Sequence, residues 1–555
     1  MQRVDFGTQP RTSSGGAVQH LWLGTLVFIV SLAILGSFVP RSYSGDDLQY
    51  ASVIRTAVTG EQLYHPVGST PFPAPSGKPH LSVNPRYALD WPASVAAVRV
   101  ARALGWTGDE IDVIVSTRVL MGALGVAFFF LTVLIISGRP WVAALSAFCL
   151  GSSTVYWTYS THADESMSMV AFTSVALYLL VRQLMDPRAR RRLGVPLFLG
   201  IASLFNLTAV ATAVPAALIW SLDMTASRVR LRARALGQFA LVFAATLLLG
   251  VLAALLATGA ASSIASLAYW KGSFFVGRPQ YGFHPVGDTF DLGADFVRAL
   301  VSYPPVGGHP LRAYFTSAST AGRLGAVLFY GMVALLAVAP VLILLKHRPT
   351  TIGLRRVTMF ASGWFLTSVI FAWWWDPTYV KYFLLPVMSW CLLLAISLTQ
   401  IAASGPRLAY WGLGVATTAA VAMFALNLST IFLPQSRGRQ DSLAAARVLQ
   451  RSPASALFVA VGQQPLDFYI TYFARRDVVS TGLVRYANGT DAAVARVVGQ
   501  HVRQHLRAHG PIYVYGRQAL GPVESRSVLE LLHRGSLKVA WRLPQTTVYR
   551  VTGAP

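Results

Sequence analysis

The stretch from His20 to Ala51, HLWLGTLVFIVSLAILGSFVPRSYSGDDLQYA, is a long apolar run followed within a few residues by two adjacent carboxylates, Asp46 and Asp47. No charged residue falls between His20 and Val39, and about 20 apolar residues is the length a helix needs to cross a hydrocarbon core. The run is too long and too poorly flanked for a cleaved signal peptide, and Arg3 and Arg11 hold its N-terminus in the cytoplasm. It predicts a first transmembrane helix, with the acids emerging just beyond it on the opposite face.

The rest of the chain has the same character. Of 555 residues, 54% are hydrophobic and only 12% charged, and mean hydropathy is +0.51, which excludes a soluble globular protein and the disordered, collagen-like and disulfide-stapled classes. Cys149 and Cys391 lie inside apolar runs and read as small buried hydrophobes. A formal charge of +24 raises the question of nucleic acid. The basic residues, however, cluster in short gaps between apolar runs: Arg182 with Arg188, Arg190, Arg191 and Arg192, then Arg228, Arg230, Arg232 and Arg234, then Lys346, Arg348, Arg355 and Arg356. Clusters in every second short loop mark the cytoplasmic side of a membrane protein, so membrane lipids are expected partners and nucleic acid is not.

Windows of spanning length predict about eleven crossings. They fall at 20–39, 116–136, 141–159, 165–182, two short segments within 195–222 interrupted by Asn206 and Thr208, 238–258, 322–345, 357–375, 382–402 and 408–428. The expected fold class is an α-helical polytopic membrane protein of the plasma (inner) membrane. Residues 1–19 form a cytoplasmic tail, 20–428 the membrane domain with external loops 40–115 and 259–320, and 429–555 a small extracytoplasmic α/β domain. In that last part Ala456 to Val461, Pro511 to Tyr515 and Lys538 to Arg542 read as short strands, and Asp491 to His509 and Ser527 to Arg534 as helices. Its sixteen Arg or Lys against six Asp or Glu place it close to anionic head groups. His501, His505 and His509 share a helix face, but no Cys or carboxylate completes a zinc set and a solvated basic helix accounts for them.

Chemistry concentrates at the external ends of the spans. Ser44 or Asp46 before a periodic apolar stretch is a helix start. A partly desolvated carboxylate there, Asp46 or Asp47, also suits a general base taking a proton from an attacking hydroxyl. Thr161-His162-Ala163-Asp164-Glu165 brings further acids to the same side, and reads equally as a solvated turn. Cations face them: Lys78-Pro79-His80 and Arg86 in the first loop, and Lys381-Tyr382 after Trp373-Trp374-Trp375. The tryptophans and Lys381 fit an aromatic belt with a snorkelling lysine; alternatively Lys78 and Lys381 are point charges for a departing phosphate.

In this order and at these span boundaries, the motifs resemble the GT-C membrane glycosyltransferases, in particular the branch of protein O-mannosyltransferases and aminoarabinose transferases. Asp46-Asp47-Leu48-Gln49-Tyr50-Ala51 is similar to that branch's Asp-Glu-x-x-Tyr-Ala, with Asp47 replacing Glu. Lys78-Pro79-His80-Leu81 is similar to its Lys-Pro-Pro-Leu, with His80 in place of the second Pro. Asp164 matches the isolated Asp opening the fourth span, and Lys381-Tyr382 to Pro386 resembles a basic-Tyr-x-x-x-Pro sequence that opens a late span. The resemblance covers residues 20 to 400, while Asn84-Pro85-Arg86-Tyr87 and Trp91-Pro92 depart from the named enzymes.

The resemblance implies a GT-C-like fold and a polyprenyl-phosphate-linked sugar donor bound from the membrane. It implies a glycan, lipid or protein acceptor arriving from the periplasmic or extracellular side, and inversion at the anomeric carbon. In that reading Asp46 or Asp47 is the catalytic base with Asp164 beside them. Lys78, Lys381, Arg86 and Tyr382 hold the donor phosphate, and His80, His162 and Glu165 are further candidates. Some members of the family use a divalent cation and others do not; Asp46 and Asp164 offer hard oxygen ligands, yet two carboxylates hardly fix a metal, which leaves the metal open. The competing reading, a membrane transporter or lipid flippase, requires ionisable residues at mid-bilayer and a repeated half, and the Asn206 break is the feature that best supports it.

Overall fold

The computed structural model describes residues 14–40, 43–61, 66–67, 85–186, 193–222, 229–273, 289–302, 318–347, 349, 351–376, 379–434, 441–462, 465–488, 490–508, 510–516, 536–544 and 546–552. Among these, eight helices are long and apolar enough to cross a bilayer: Val18–Ser37, Glu110–Ser137, Ser166–Met185, Arg232–Ala257, Thr320–Lys346, Ile352–Trp375, Val380–Ala403 and Pro406–Phe432. Three shorter apolar helices, Pro140–Ser152, Gly194–Phe205 and Leu207–Ser221, lie where the sequence predicts the other crossings. The helices in the first half are α1 (Ser14–Ser37), α2 (Gly45–Thr59), α3 (Asp90–Ala103), α4 (Glu110–Ser137), α5 (Pro140–Ser152), α6 (Thr154–Thr161), α7 (Ser166–Met185), α8 (Gly194–Phe205), α9 (Val210–Leu222), α10 (Val229–Ala257), α11 (Ile264–Ser273) and α12 (Thr289–Leu300).

Burial sorts the spans. The apolar residues of α1, α10 and Thr320–Lys346 remain largely exposed, as expected of helices whose solvent is lipid, whereas α4, α7 and Val380–Ala403 are mostly enclosed by other helices. α4 packs against α1, α5 and α7, and the enclosed set shares one apolar core that runs from Phe129 and Val170 to Phe383 and Leu392.

One expected crossing differs in form, and another keeps its expected break. The single span at 141–159 is two helices, because Ser153 adopts an extended backbone between α5 and α6. A buried amide secures that break: Asn427 Nδ2 donates to Ser152 O at 2.8 Å and Leu300 O at 2.9 Å, and its Oδ1 accepts from Thr154 Oγ1 and the Ser302 N–H, both at 3.0 Å. All four hydrogen-bonding positions of the side chain are used, so the freed carbonyl is satisfied away from water. The break within 195–222 falls at Asn206, which ends α8 and accepts from the Thr208 N–H at 3.0 Å to start the next turn. Leu204 O, just before it, accepts from the Leu89 N–H at 3.0 Å, so the break packs against the loop preceding α3.

The expected external loop 40–115 contains α2 and α3, and α4 begins at Glu110, about two turns before the predicted span. Beyond residue 440, helices Asp441–Leu449, Pro465–Tyr469 and Asp491–Arg507 accompany a five-stranded sheet of order β2-β1-β3-β5-β4, with β1 Leu457–Ala460, β2 Asp477–Ser480, β3 Ile512–Tyr515, β4 Ser536–Arg542 and β5 Thr547–Thr552. β1 pairs in parallel with β2 and β3, and β1 and β3 are buried along their whole length, as continuous apolar strands in a parallel sheet must be. The segment 527–534 lies outside the described residues. This domain shares a core with the bundle: Leu48, Ile54, Val98 and Ile111 join Leu449, Phe458 and Tyr472 in one apolar cluster.

Candidate functional site

Ser44 starts α2 with a capping box. Its hydroxyl accepts from the Asp47 N–H at 3.1 Å while Asp47 Oδ2 accepts from the Ser44 N–H at 2.9 Å. Asp47 is 3% exposed, and its carboxylate has two further partners from the loop after α6: Oδ2 with His162 Nδ1 at 2.8 Å and Oδ1 with the Ala163 N–H at 2.9 Å. Burial works against its charge, yet His162 and Ser44 together hold its carboxyl below the ordinary value; in return Asp47 overcomes burial and raises the imidazole of His162. Asp47 thereby staples α2 to the turn between α6 and α7.

Asp46, one residue earlier, is exposed. Its charge reaches Tyr379, whose phenol is raised chiefly by burial and further by Asp164, Asp46 and Glu165, against the opposing field of Lys381. Asp46 therefore lies close enough to Tyr379, two residues before Lys381, to act on its phenol.

Lys381 lies in a single 3-10 turn, Val380–Phe383, that leads into helix Leu384–Ala403, where Pro386 falls in the first turn and costs no hydrogen bond. Its side chain is 7% exposed, with Nζ 2.8 Å from Asp164 Oδ2 and in contact with the Glu165 carboxylate. Asp164 Oδ1 also accepts from the Ser166 N–H at 2.8 Å, opening α7. Burial and the neighbouring Asp164 push the Glu165 carboxyl up, to about 7, despite the lysine. Tyr87 lies under the ammonium, 5.2 Å from ring centroid to Nζ, and Arg86, 4% exposed, lies over the Trp375 ring at 5.0 Å. Tyr382 meets Trp375 and Tyr379 edge-on, at 5.9 and 5.5 Å.

The structure thus brings Asp46, Asp47, His162, Asp164, Glu165 and Lys381 together, with Arg86 and Tyr382 alongside. Lys78 and His80 lie outside the described residues. Among the described residues, no group of three or more His, Cys, Asp or Glu is arranged to hold a metal ion.

Beneath this layer is a second one that sequence reading missed. Asp90, fully buried at the start of α3, pairs with Arg118 of α4 at 2.7 Å and accepts from the Tyr50 hydroxyl, while Arg118 also reaches Ser168 of α7 at 3.1 Å and Ser94 at 3.2 Å. Burial raises the Asp90 carboxyl, opposed by Arg118 and Tyr50. The signal was a lone arginine within an apolar helix, which requires a buried partner.

No protein-family model matches the sequence, and no curated protein matches it. Solved structures do. ArnT from Cupriavidus metallidurans bound to undecaprenyl phosphate aligns over 97% of this chain and 98% of its own, at TM-score 0.56 and 14% identity. The archaeal oligosaccharyltransferase AglB from Archaeoglobus fulgidus, in complex with an inhibitory peptide and a dolichol-phosphate, aligns over 97% of this chain and 74% of its own, at TM-score 0.53 and 13% identity. The Archaeoglobus fulgidus oligosaccharyltransferase in complex with Zn and sulfate gives TM-score 0.52 at 14% identity, over 95% of this chain and 73% of its own. All are GT-C glycosyltransferases, and the chain has their fold: a polytopic helical bundle followed by a C-terminal domain.

Proposed function

We propose that this chain is an integral membrane glycosyltransferase that moves a sugar from a polyprenyl-phosphate-linked donor onto an acceptor hydroxyl of a glycan, lipid or protein on the extracytoplasmic face. The observation that carries the reading is a buried ammonium, Lys381, held between Asp164 and Glu165, with the exposed carboxylate of Asp46 near enough to act on Tyr379 two residues before it. The fold supports it, since structures with the same architecture hold undecaprenyl phosphate and dolichol-phosphate.

The division of labour follows from the hydrogen bonds. Asp47 accepts three and holds its proton affinity low, which suits a positioning residue and not a base. Asp46 takes the acceptor's proton as the hydroxyl oxygen forms its bond to the anomeric carbon. The bond from that carbon to the phosphate oxygen breaks, its electron pair leaves with the lipid phosphate, and the anomeric centre inverts. Charge develops on that departing oxygen, where Lys381, with Arg86 and Lys78, stabilises it. Asp164 and Glu165 keep the ammonium aimed.

The test is sugar transfer by the purified protein from a synthetic short-chain polyprenyl-phosphate sugar. Asp46→Asn should lower turnover by ~10² or more while the protein still expresses normally. Wild-type turnover in that variant would remove the mechanism.

A further inference from the structure

We propose that one face of the β4–β5 hairpin docks on anionic phospholipid head groups and holds the α/β domain down on the membrane. The inference goes beyond the proposed reaction: it concerns the β4 edge of the sheet, where none of the residues named for sugar transfer lies. Residues 536–552 carry three basic side chains, Lys538, Arg542 and Arg550, and no acidic one. In the ladder Lys538 stands directly opposite Arg550, so both point to one face, and both are exposed. Like charges placed in this way destabilise a sheet, and among the described residues neither has an acidic partner. A lysine on an outer strand guards against edge pairing. Arg550, however, lies on β5, which has β3 on one side and β4 on the other, so edge protection leaves it unexplained. The ladder also shifts register between Val539 and Trp541. Residues three apart on a regular strand face opposite ways; the bulge instead turns Trp541, opposite Val548, to the face of Lys538 and Arg550. There its ring meets Tyr513 at 4.8 Å, and Tyr513 stands opposite Arg550 on the next strand.

This face of the sheet is turned toward the bundle. Phe458, Tyr513 and Val548 on it share an apolar cluster with Leu35, near the end of the first span, and with Phe432, which closes the span Pro406–Phe432; Trp541 packs against the same cluster. The opposite face is covered by Val494, Val498 and Val502 of helix Asp491–Arg507. Apolar spans end where the hydrocarbon ends, so a face packed over their ends looks at the head-group layer. The hairpin's composition suits that layer. An indole settles at the boundary between hydrocarbon chains and head groups. Each Lys or Arg near an anionic surface strengthens attachment about fivefold. A phosphodiester head group also removes the cost of setting Lys538 against Arg550, because it supplies the anion that the two side chains lack.

The experiment uses the purified full chain in lipid nanodiscs, with a donor dye on Pro544→Cys at the hairpin turn and acceptor dyes on a small share of the lipid head groups. Pro544 is exposed, and Cys149 and Cys391 are buried, so the introduced thiol takes the dye. Energy transfer should be higher in discs of mixed phosphatidylcholine and phosphatidylglycerol than in phosphatidylcholine alone. Salt at about 1 M, which cuts the Debye length to about 3 Å, should return it to the neutral level. Lys538→Gln with Arg550→Gln should weaken the docked state roughly thirtyfold and abolish the difference between the two lipids. Arg503→Gln with Arg507→Gln removes the same charge from exposed positions on helix Asp491–Arg507, over the other face, and should preserve that difference. Equal transfer in neutral and anionic discs overturns the inference. Equal loss from the two double variants overturns it as well, by assigning the effect to the domain's net charge. The wild-type comparison between the two lipids decides the matter even where a variant does not fold.

Discussion

Two adjacent carboxylates on one helical turn have opposite situations: Asp46 is exposed, and Asp47 is enclosed by Ser44, His162 and Ala163. The sequence places both acids at a helix start but does not separate them, because two of the partners that enclose Asp47, His162 and Ala163, come from more than a hundred residues away. Asp47→Asn should therefore differ from its neighbour's variant: it should lower the thermal midpoint as well as turnover, since an unpaired buried group costs about 1–3 kcal/mol. Scanning calorimetry beside the transfer assay checks this, and an unchanged midpoint would sink the positioning role. Lys381 offers a second contrast. Lys381→Met should weaken donor binding and slow transfer, and Lys381→Arg should restore part of the loss by returning the charge in a different shape. Equal transfer rates for wild type and Lys381→Met would remove this residue from the site. The sequence weighed a snorkelling lysine against a phosphate ligand; the structure buries this side chain between Asp164 and Glu165.

At the scale of elements, periodicity read the spans well because an apolar helix in lipid needs no long-range information. It read their breaks and extensions less well. The division between α5 and α6 depends on Asn427, which lies 275 residues from the carbonyl it secures. The early start of α4 depends on Glu110, whose charge is matched by Arg55 at 2.7 Å and Arg102 at 2.6 Å. α4 also carries Arg118, and its pair with Asp90 supplies the next test. Removing one partner of a buried pair leaves the other uncompensated at a cost of about 3–5 kcal/mol, while replacing both by apolar residues is often nearly neutral. Arg118→Leu alone should therefore destabilise strongly, and Asp90→Leu with Arg118→Leu should recover much of that loss. Denaturation midpoints of single and double variants measure it; losses that simply add would mean that the two residues do not act as a pair.

For the whole molecule, the basic clusters predict that the loop around Arg191 is cytoplasmic and the α/β domain external. Cysteine labelling of intact cells should reach a reporter at Asn488 and spare one at Arg191; the reverse pattern would invert the topology and the site with it. The α/β character of the C-terminal part was legible from its short apolar strands, although β2 and β5 were not, β2 following directly on the charged Arg475-Arg476-Asp477 and β5 carrying Arg550 in its middle. What no local pattern announces is the attachment of this domain. Arg55 of α2 donates to Tyr472 O at 2.8 Å and lies over the Tyr472 ring at 3.9 Å, and the Tyr43 N–H reaches the Tyr469 hydroxyl at 2.6 Å.

That attachment sets an order of events during synthesis. Arg55 and Tyr472 are 417 residues apart, and ribosomes add roughly 5–20 residues per second, so α2 waits on the order of 20–80 s for the surface that covers it. Throughout that interval the apolar face of Leu48 and Ile54 and the charge of Arg55 lack their final partners from the far end of the chain. A nascent chain stalled before residue 440 leaves uncovered the side of α2 that meets Tyr472, while its contacts with α3 and α4 are already available.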